Sequence, residues 1–209
     1  MTNKAIDINQ RIPLNALHIA LEGYLKGTYS AQYILEQLQL EFDGENRLKK
    51  ALRIIEKTIL RNPLEGILTS HKEQVLSAIK RKVDRDVILV ALLNSAFPFS
   101  FDVLKVFGKF FAAQELVNVD TIRNTVFKIY GGNRSPDNGI YSVVPMFLEA
   151  GFFSRPKPGM YSWIGKLNVT STIAKEIYVE SFKFNNSIEI LQDYQLIEPY
   201  FIFINDCHK

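Results

Sequence analysis

The sequence MFLEAGFFSRPKPGMYSW, residues 146–163, contains a helix end, a tight turn and two strand-like segments. Gly151 follows an apolar helical pattern, at a position where helices commonly end with a left-handed residue. Residues 152–155 and 160–164 are rich in aromatic and apolar side chains typical of strands. Between them, Pro-Lys-Pro-Gly at 156–159 is a turn sequence whose glycine supplies a positive φ. These residues therefore predict a helix followed by a β-hairpin.

Three helical patterns lead up to this hairpin. They cover residues 101–114, 121–130 and 137–150, and the loop GGNRSP at 131–136 separates the last two. The order helix, helix, loop, helix, hairpin resembles the winged helix-turn-helix superfamily over about a third of the chain. The helix end Leu-Glu-Ala-Gly at 148–151, followed by apolar residues, adds to that resemblance. The resemblance implies that 137–150 is a recognition helix and that the hairpin is a wing.

In that superfamily the recognition helix enters the major groove of DNA, and the wing contacts the backbone or the minor groove. The resemblance therefore implies inward and outward faces for the helix at 137–150. The residues expected to face the core are Ile140, Val143, Val144, Phe147 and Leu148. Those expected to face outward are Asn138, Tyr141, Ser142 and Met146, of which the first three are candidate nucleic-acid contacts. The cations expected to contact phosphates are Arg123, Lys128, Arg134, Arg155 and Lys157.

The helix at 137–150 is not built to read guanine. It contains no Arg or Lys, the residues that usually bind guanine edges, and its only charges are two carboxylates. Pro145 also removes one helical hydrogen bond. If the module binds duplex DNA, backbone and shape contacts are expected to dominate. The alternative is a protein-docking or assembly surface, with Tyr141, Met146 and Tyr161 in contact with a partner.

Amphipathic helices are also predicted before this module. Their ranges are 12–25, 31–42, 45–61, 64–82 and 84–96. The helix at 45–61 is the most basic, and its cations spread at helical spacing over one side: Lys49, Lys50, Arg53, Lys57 and Arg61. This side is either a second surface for DNA backbone or an ordinary solvated face.

The remainder of the chain, after residue 166, has a mixed pattern. Helices are predicted at 170–182 and 188–194, and a short strand or a buried extended tail at 196–204. The fold class is thus mainly α, with a helical N-terminal bundle and a winged-helix module that carries a small β-hairpin wing. The expected domains are residues 1–83, residues 84–166 and a C-terminal segment, 167–209, that packs on the rest.

Positive charge is concentrated in the middle of the chain. The net charge is only +3, but residues 44–99 hold 11 basic and 6 acidic side chains, whereas 167–209 hold 3 and 6. A basic region can attract a polyanion because it releases counterions from phosphates, although a solvated helix surface has the same composition.

The N-terminus has no signal-peptide pattern, and no segment is long and apolar enough to span a membrane. A cytoplasmic location is therefore expected.

No catalytic, cofactor or metal site is predicted. The only cysteine, Cys207, allows no intrachain disulfide, and the three histidines lack the spacing of metal ligands. Carboxylates such as Asp84 and Asp86 are interpreted as polar helix faces or caps rather than acid–base pairs. The sequence therefore favours a non-catalytic protein that binds nucleic acid, most simply double-stranded DNA, or else a protein partner. It leaves the oligomeric state open.

Overall fold

A computed structural model describes residues 5–131 and 135–205. Within these ranges the chain is mainly helical and has one small antiparallel sheet, so the predicted fold class is confirmed. The helices are α1 Leu14–Lys26, α2 Ala31–Gln39, α3 Glu45–Ile59, α4 Glu65–Ser70, α5 Lys72–Ala78, α6 Lys82–Ala96, α7 Pro98–Phe111, α8 Val119–Tyr130, α9 Ser135–Glu149 and α10 Thr172–Asn186. The strands are β1 Leu116–Asn118, β2 Ser154–Lys157 and β3 Met160–Ser162. Two 3₁₀ helices, Asp193–Ile197 and Pro199–Phe203, follow α10.

The sheet has the order β1-β3-β2, so the predicted hairpin is present and gains a third strand. Gly151 at the end of α9 has φ +75° and Gly159 in the turn has φ +78°, which confirms the conformations expected of both glycines. The register pairs Leu116 with Ser162. The sequence did not predict β1, because three residues are too few to show strand alternation. Through β1, the connection between α7 and α8 is joined to the hairpin.

Helix α6 lies at the centre of the packing. It contacts α1 and α3 on the N-terminal side, α7 from the middle of the chain, and α10 near the C-terminus. Its residues from Val87 to Ala96 are all buried. The buried side chains form one continuous hydrophobic cluster that includes residues of all three predicted domains. The domain boundaries at 83/84 and 166/167 stay predictions.

An aromatic cluster holds the hairpin against the helices. Phe107 of α7 stacks on Phe153 with 4.3 Å between ring centroids, and the rings of Phe107 and Tyr161 are nearly perpendicular with 5.1 Å between centroids. Phe153 and its neighbour Phe152 are buried, and β2 begins only after them. Aromatic pairs of this kind contribute about 0.5–1.5 kcal/mol beyond the burial of their surface. The position of the hairpin is therefore fixed by the core and not only by the turn.

The prediction of one continuous helix at 64–82 is wrong, because this segment forms two short helices with a break at His71. The hydroxyl of Ser70 donates to the carbonyl of Gly66 at 2.8 Å, and Thr69 donates to the carbonyl of Glu65 at 3.0 Å. Such side-chain bonds to the backbone compete with the helical ladder. The predicted helix start at residue 101 is also three residues late, since α7 begins at Pro98 and Ser100 is buried inside it.

The C-terminal predictions are wrong in detail. Helix α10 runs to Asn186, where Ser187 ends it in the left-handed conformation with φ 53°, and no α-helix follows at 188–194 in the described part of the chain. Residues 196–204 are not a strand, because most of them belong to the two 3₁₀ helices. Only Ile204 makes a bridge, with Leu167. This tail is nevertheless well packed, since Tyr200 and Phe203 have no exposed surface.

Candidate nucleic-acid interface

Helix α9 is the predicted recognition helix, and its faces agree only in part with expectation. Four of the five residues expected inside are buried, Leu148 is half-buried, and Asn138 and Tyr141 are exposed as expected. Tyr141 exposes 69% of its surface. The outward assignment of Ser142 and Met146 is wrong, because both are buried. The Ser142 hydroxyl donates to the carbonyl of Asn138 at 2.7 Å, so it is not available as a nucleic-acid contact.

The N-terminal segment, residues 5–13, lies along α9. Near the start of the helix, Gly139 is so close to this segment that a Cβ there would be 3.1 Å from the Ile6 side chain. At the other end, the Glu149 carboxylate accepts hydrogen bonds from the Leu14 amide and the Arg11 guanidinium, both at 3.0 Å. Ile8, between these ends, is fully buried. The chain's own N-terminal segment thus contacts α9 near both of its ends.

Glu149 has a role that the sequence did not reveal. It stands in the Leu-Glu-Ala-Gly helix end, but it binds the first amide of α1, where Pro13 supplies no side-chain cap. A carboxylate at a helix N-terminus satisfies a free N–H group and interacts favourably with the helix dipole. Lys82 also donates to the Glu149 carbonyl at 3.3 Å. No local pattern indicates these contacts, because the partners are far apart in sequence.

Arg123 on α8 is already neutralised. Its Nε and Nη2 atoms donate to the two oxygens of Asp137 at 2.6 and 2.8 Å, and Nη1 lies 3.3 Å from Asp120. The hydrogen bond to Asp137 raises the pKa of Arg123 further above its ordinary value. This paired geometry joins α8 to the first turn of α9. The structure therefore gives Arg123 an internal partner in place of the expected phosphate.

The cations of the hairpin are exposed. Arg155 and Lys157 on β2 form no ion pair with the described residues, and the same holds for Lys128 on α8. Burial raises the pKa of Tyr161, and the nearby Arg155 guanidinium opposes that shift. Arg134, the remaining predicted cation, lies outside the described residues.

The basic side of α3 contains both paired and unpaired cations. Lys49 forms an ion pair with Glu45 at 2.5 Å. Lys57 pairs with Asp7 of the N-terminal segment and lies 4.3 Å from the centroid of the Phe97 ring. Lys50 and Arg53 are exposed and form no ion pair with residues 5–131 or 135–205.

The N-terminal segment contacts both α3 and α9. On one side Asp7 binds Lys57, and the Gln10 amide donates to the Arg47 carbonyl of α3 at 3.0 Å. On the other side the segment contacts α9, which packs on α7 and α8. The segment therefore connects the basic helix α3 to the predicted recognition helix α9.

The buried acids of α6 have structural roles. Asp84 accepts hydrogen bonds from the Thr170 amide at 2.8 Å, the Thr170 hydroxyl at 3.0 Å and the Ser171 amide at 3.3 Å. Asp86 pairs with Lys82 at 2.5 Å and with Arg85 at 3.0 Å. Both acids are almost completely buried, which the interpretation as polar helix faces or caps did not anticipate. Asp84 fixes the start of α10 against the start of α6.

Among residues 5–131 and 135–205, no group of three or more His, Cys, Asp or Glu side chains is placed to hold a metal ion. In the same ranges, no helix has the length and hydropathy needed to cross a bilayer. Comparisons with protein-family models, with curated proteins and with solved structures found no significant match to this chain.

Proposed function

We propose that α7 to β3 is a winged helix-turn-helix that binds double-stranded DNA without catalysis, mainly through backbone and shape contacts. The observation that carries this proposal is that Arg155 and Lys157 are exposed and unpaired among the described residues, on the hairpin that follows α9. The exposed face of α9 offers Asn138 and Tyr141. An asparagine can bind adenine in the major groove, and a tyrosine can contact the sugar–phosphate backbone.

The footprint we propose is smaller than the one implied by the sequence. Arg123, Lys49 and Lys57 are engaged by carboxylates, and Ser142 is buried. The described cations that remain are Lys50, Arg53, Lys128, Arg155 and Lys157. Five phosphate contacts correspond to a slope of about −4 to −5 in a plot of log K against log salt.

The test is binding of a duplex DNA probe at several salt concentrations. The R155A/K157A variant should bind more weakly than the unsubstituted protein, and its salt slope should be smaller in magnitude by about 2. The matched control is K72A/K80A, which removes two exposed cations near α5, a helix that packs against α1 and α10. It should leave the slope nearly unchanged. The proposal would be refuted if the protein did not bind the duplex at low salt. It would also be refuted if both variants lost the same amount of DNA affinity.

A second candidate is a protein-docking surface on the same face of α9. It is favoured because the exposed side of this helix has no cation and includes Tyr141, with the half-exposed Pro145 and Leu148 towards its end. Two of its expected contacts, Met146 and Tyr161, are buried, so Tyr141 remains. A Tyr141→Ala variant distinguishes the candidates. It should leave the salt slope of DNA binding unchanged, whereas a docking surface would lose capture of its protein partner.

A further inference from the structure

The C-terminal segment exposes three large apolar side chains, which we name the apolar ridge: Ile190, Tyr194 and Ile197. They expose 73%, 71% and 84% of their surface. Tyr194 and Ile197 are three residues apart in a 3₁₀ helix, where side chains at this spacing lie on the same side. Apolar patches of a few hundred Å² on soluble proteins commonly mark contact surfaces.

An apolar groove adjoins the ridge. It is a cavity of about 360 Å³, open to the surface, and Ile197 contributes to its lining. Phe111 at the end of α7, Trp163 after β3, and Phe201 of the second 3₁₀ helix form much of the rest. The same surface of the molecule therefore has an apolar projection and an apolar recess side by side.

The charges around these two features have opposite signs. Glu189 and Asp193 flank the ridge, and both are exposed. Lys166 belongs to the groove lining, and Lys109 lies one turn before Ala112, another lining residue. None of these four forms an ion pair with the described residues, whereas the neighbouring Glu198 is paired with Lys105 at 2.8 Å. The ridge thus has an acidic border and the groove a basic one.

We propose that this surface joins two copies of the chain in a two-fold homodimer, with the ridge of each copy in the groove of the other. A two-fold interface must be self-complementary, and this surface has both an apolar projection with acids and an apolar recess with lysines. Every contact then occurs twice. Because the ridge and the groove adjoin, a single two-fold rotation places the ridge of each copy in the groove of the other. Both surfaces are then used within the dimer, so no ridge or groove is left to bind a third copy.

The size of the surface sets the expected strength. A stable interface takes about 800 Å² from each partner, and the ridge supplies on the order of a few hundred Å² of apolar surface. The charged border must contribute the remainder. Association with a dissociation constant in the micromolar range, about 1–50 μM, is therefore expected.

Sedimentation equilibrium on the full chain between about 1 and 200 μM tests the proposal. The dimer should form over this range, and I197D should raise its dissociation constant at least tenfold. L40D is the matched control, because Leu40 is 81% exposed but belongs to the end of α2, away from the C-terminal segment. The only tryptophan, Trp163, lines the groove, so its fluorescence should change with concentration in L40D and not in I197D.

Charge reversal identifies the partner as a second copy. The ridge variant E189K/D193K and the groove variant K109E/K166E should each fail to dimerise alone, because like charges face each other twice. An equimolar mixture of the two should associate, since each variant restores the opposite charge for the other. Far-UV circular dichroism checks that both are folded. The proposal would be overturned if the chain stayed monomeric at 200 μM or if I197D did not weaken association. It would also be overturned if the mixture of the two charge-reversal variants did not form a dimer.

Discussion

Replacing Gly108 by alanine should destabilise the protein, although alanine is the better helix former. Gly108 lies inside α7, and a Cβ at this position would stand 2.7 Å from the carbonyl carbon of Pro199 and closer still to its oxygen. Real Cβ atoms essentially never come within 3.0 Å of another heavy atom. Either α7 or the second 3₁₀ helix must move, because the obstacle is backbone and cannot rotate away.

The magnitude follows from two opposing effects. Alanine gains about 1 kcal/mol over glycine in a helix interior. Overpacking typically costs about 1–3 kcal/mol, and a backbone obstacle places this site at the upper end. A displaced 3₁₀ helix would also lose part of the burial of Tyr200 and Phe203. The net change should be a loss of about 2 kcal/mol in the free energy of unfolding.

Urea denaturation, followed by Trp163 fluorescence and by circular dichroism, measures this change. With a slope of about 2 kcal/mol/M, the midpoint should fall by about 1 M. Gly66→Ala is the control, because Gly66 is also helical but its Cβ would meet no atom within 4 Å. That variant should be unchanged or more stable by up to about 1 kcal/mol. If G108A is as stable as G66A, the close packing of α7 on Pro199 is not as described.

Three further predictions concern polar groups that are buried or half-buried. Asp84→Ala should lower the free energy of unfolding by about 2–4 kcal/mol in a denaturation experiment, because two amides and a hydroxyl at the start of α10 lose their acceptor. Glu149→Ala should lower it by about 1–2 kcal/mol, most of which is the lost N-terminal cap of α1, and equal stability would contradict that cap. Burial lowers the pKa of His18, with Arg85 acting in the same direction, so the unfolded chain binds this proton more readily. Stability should therefore rise as the pH increases through the range just below 6.5, and His18→Gln should flatten this part of the pH profile.

The local patterns of the sequence predicted the parts of the fold that depend on neighbouring residues. Gly151 ends a helix and Gly159 forms a turn because a positive φ is a property of the residue itself. The helical periodicity before them located α8 and α9, and the strand-like residues located the hairpin. The mainly α class with a small hairpin follows from these features alone.

The candidate site could be predicted only in part. Arg155 and Lys157 are exposed on the strand next to the turn, where their neighbours in sequence already favour exposure. Arg123 has the same residue type but is neutralised by Asp137, a partner on another helix. Periodicity predicted an outward face for α9, but it could not show that Ser142 and Met146 are buried.

The tertiary structure alone decided which groups meet across the chain. From the sequence alone, Gly108 is a residue of low helix propensity inside a helix. In the structure it is the residue that lets Pro199 approach α7. The sequence shows Asp84 and Glu149 only as carboxylates in helical segments, yet Asp84 binds the amides of Thr170 and Ser171 just before α10, and Glu149 binds the first amide of α1. The physical reason is the same in each case. Backbone preference and periodicity act over a few residues, whereas close packing and the pairing of buried polar groups depend on atoms that are distant in sequence.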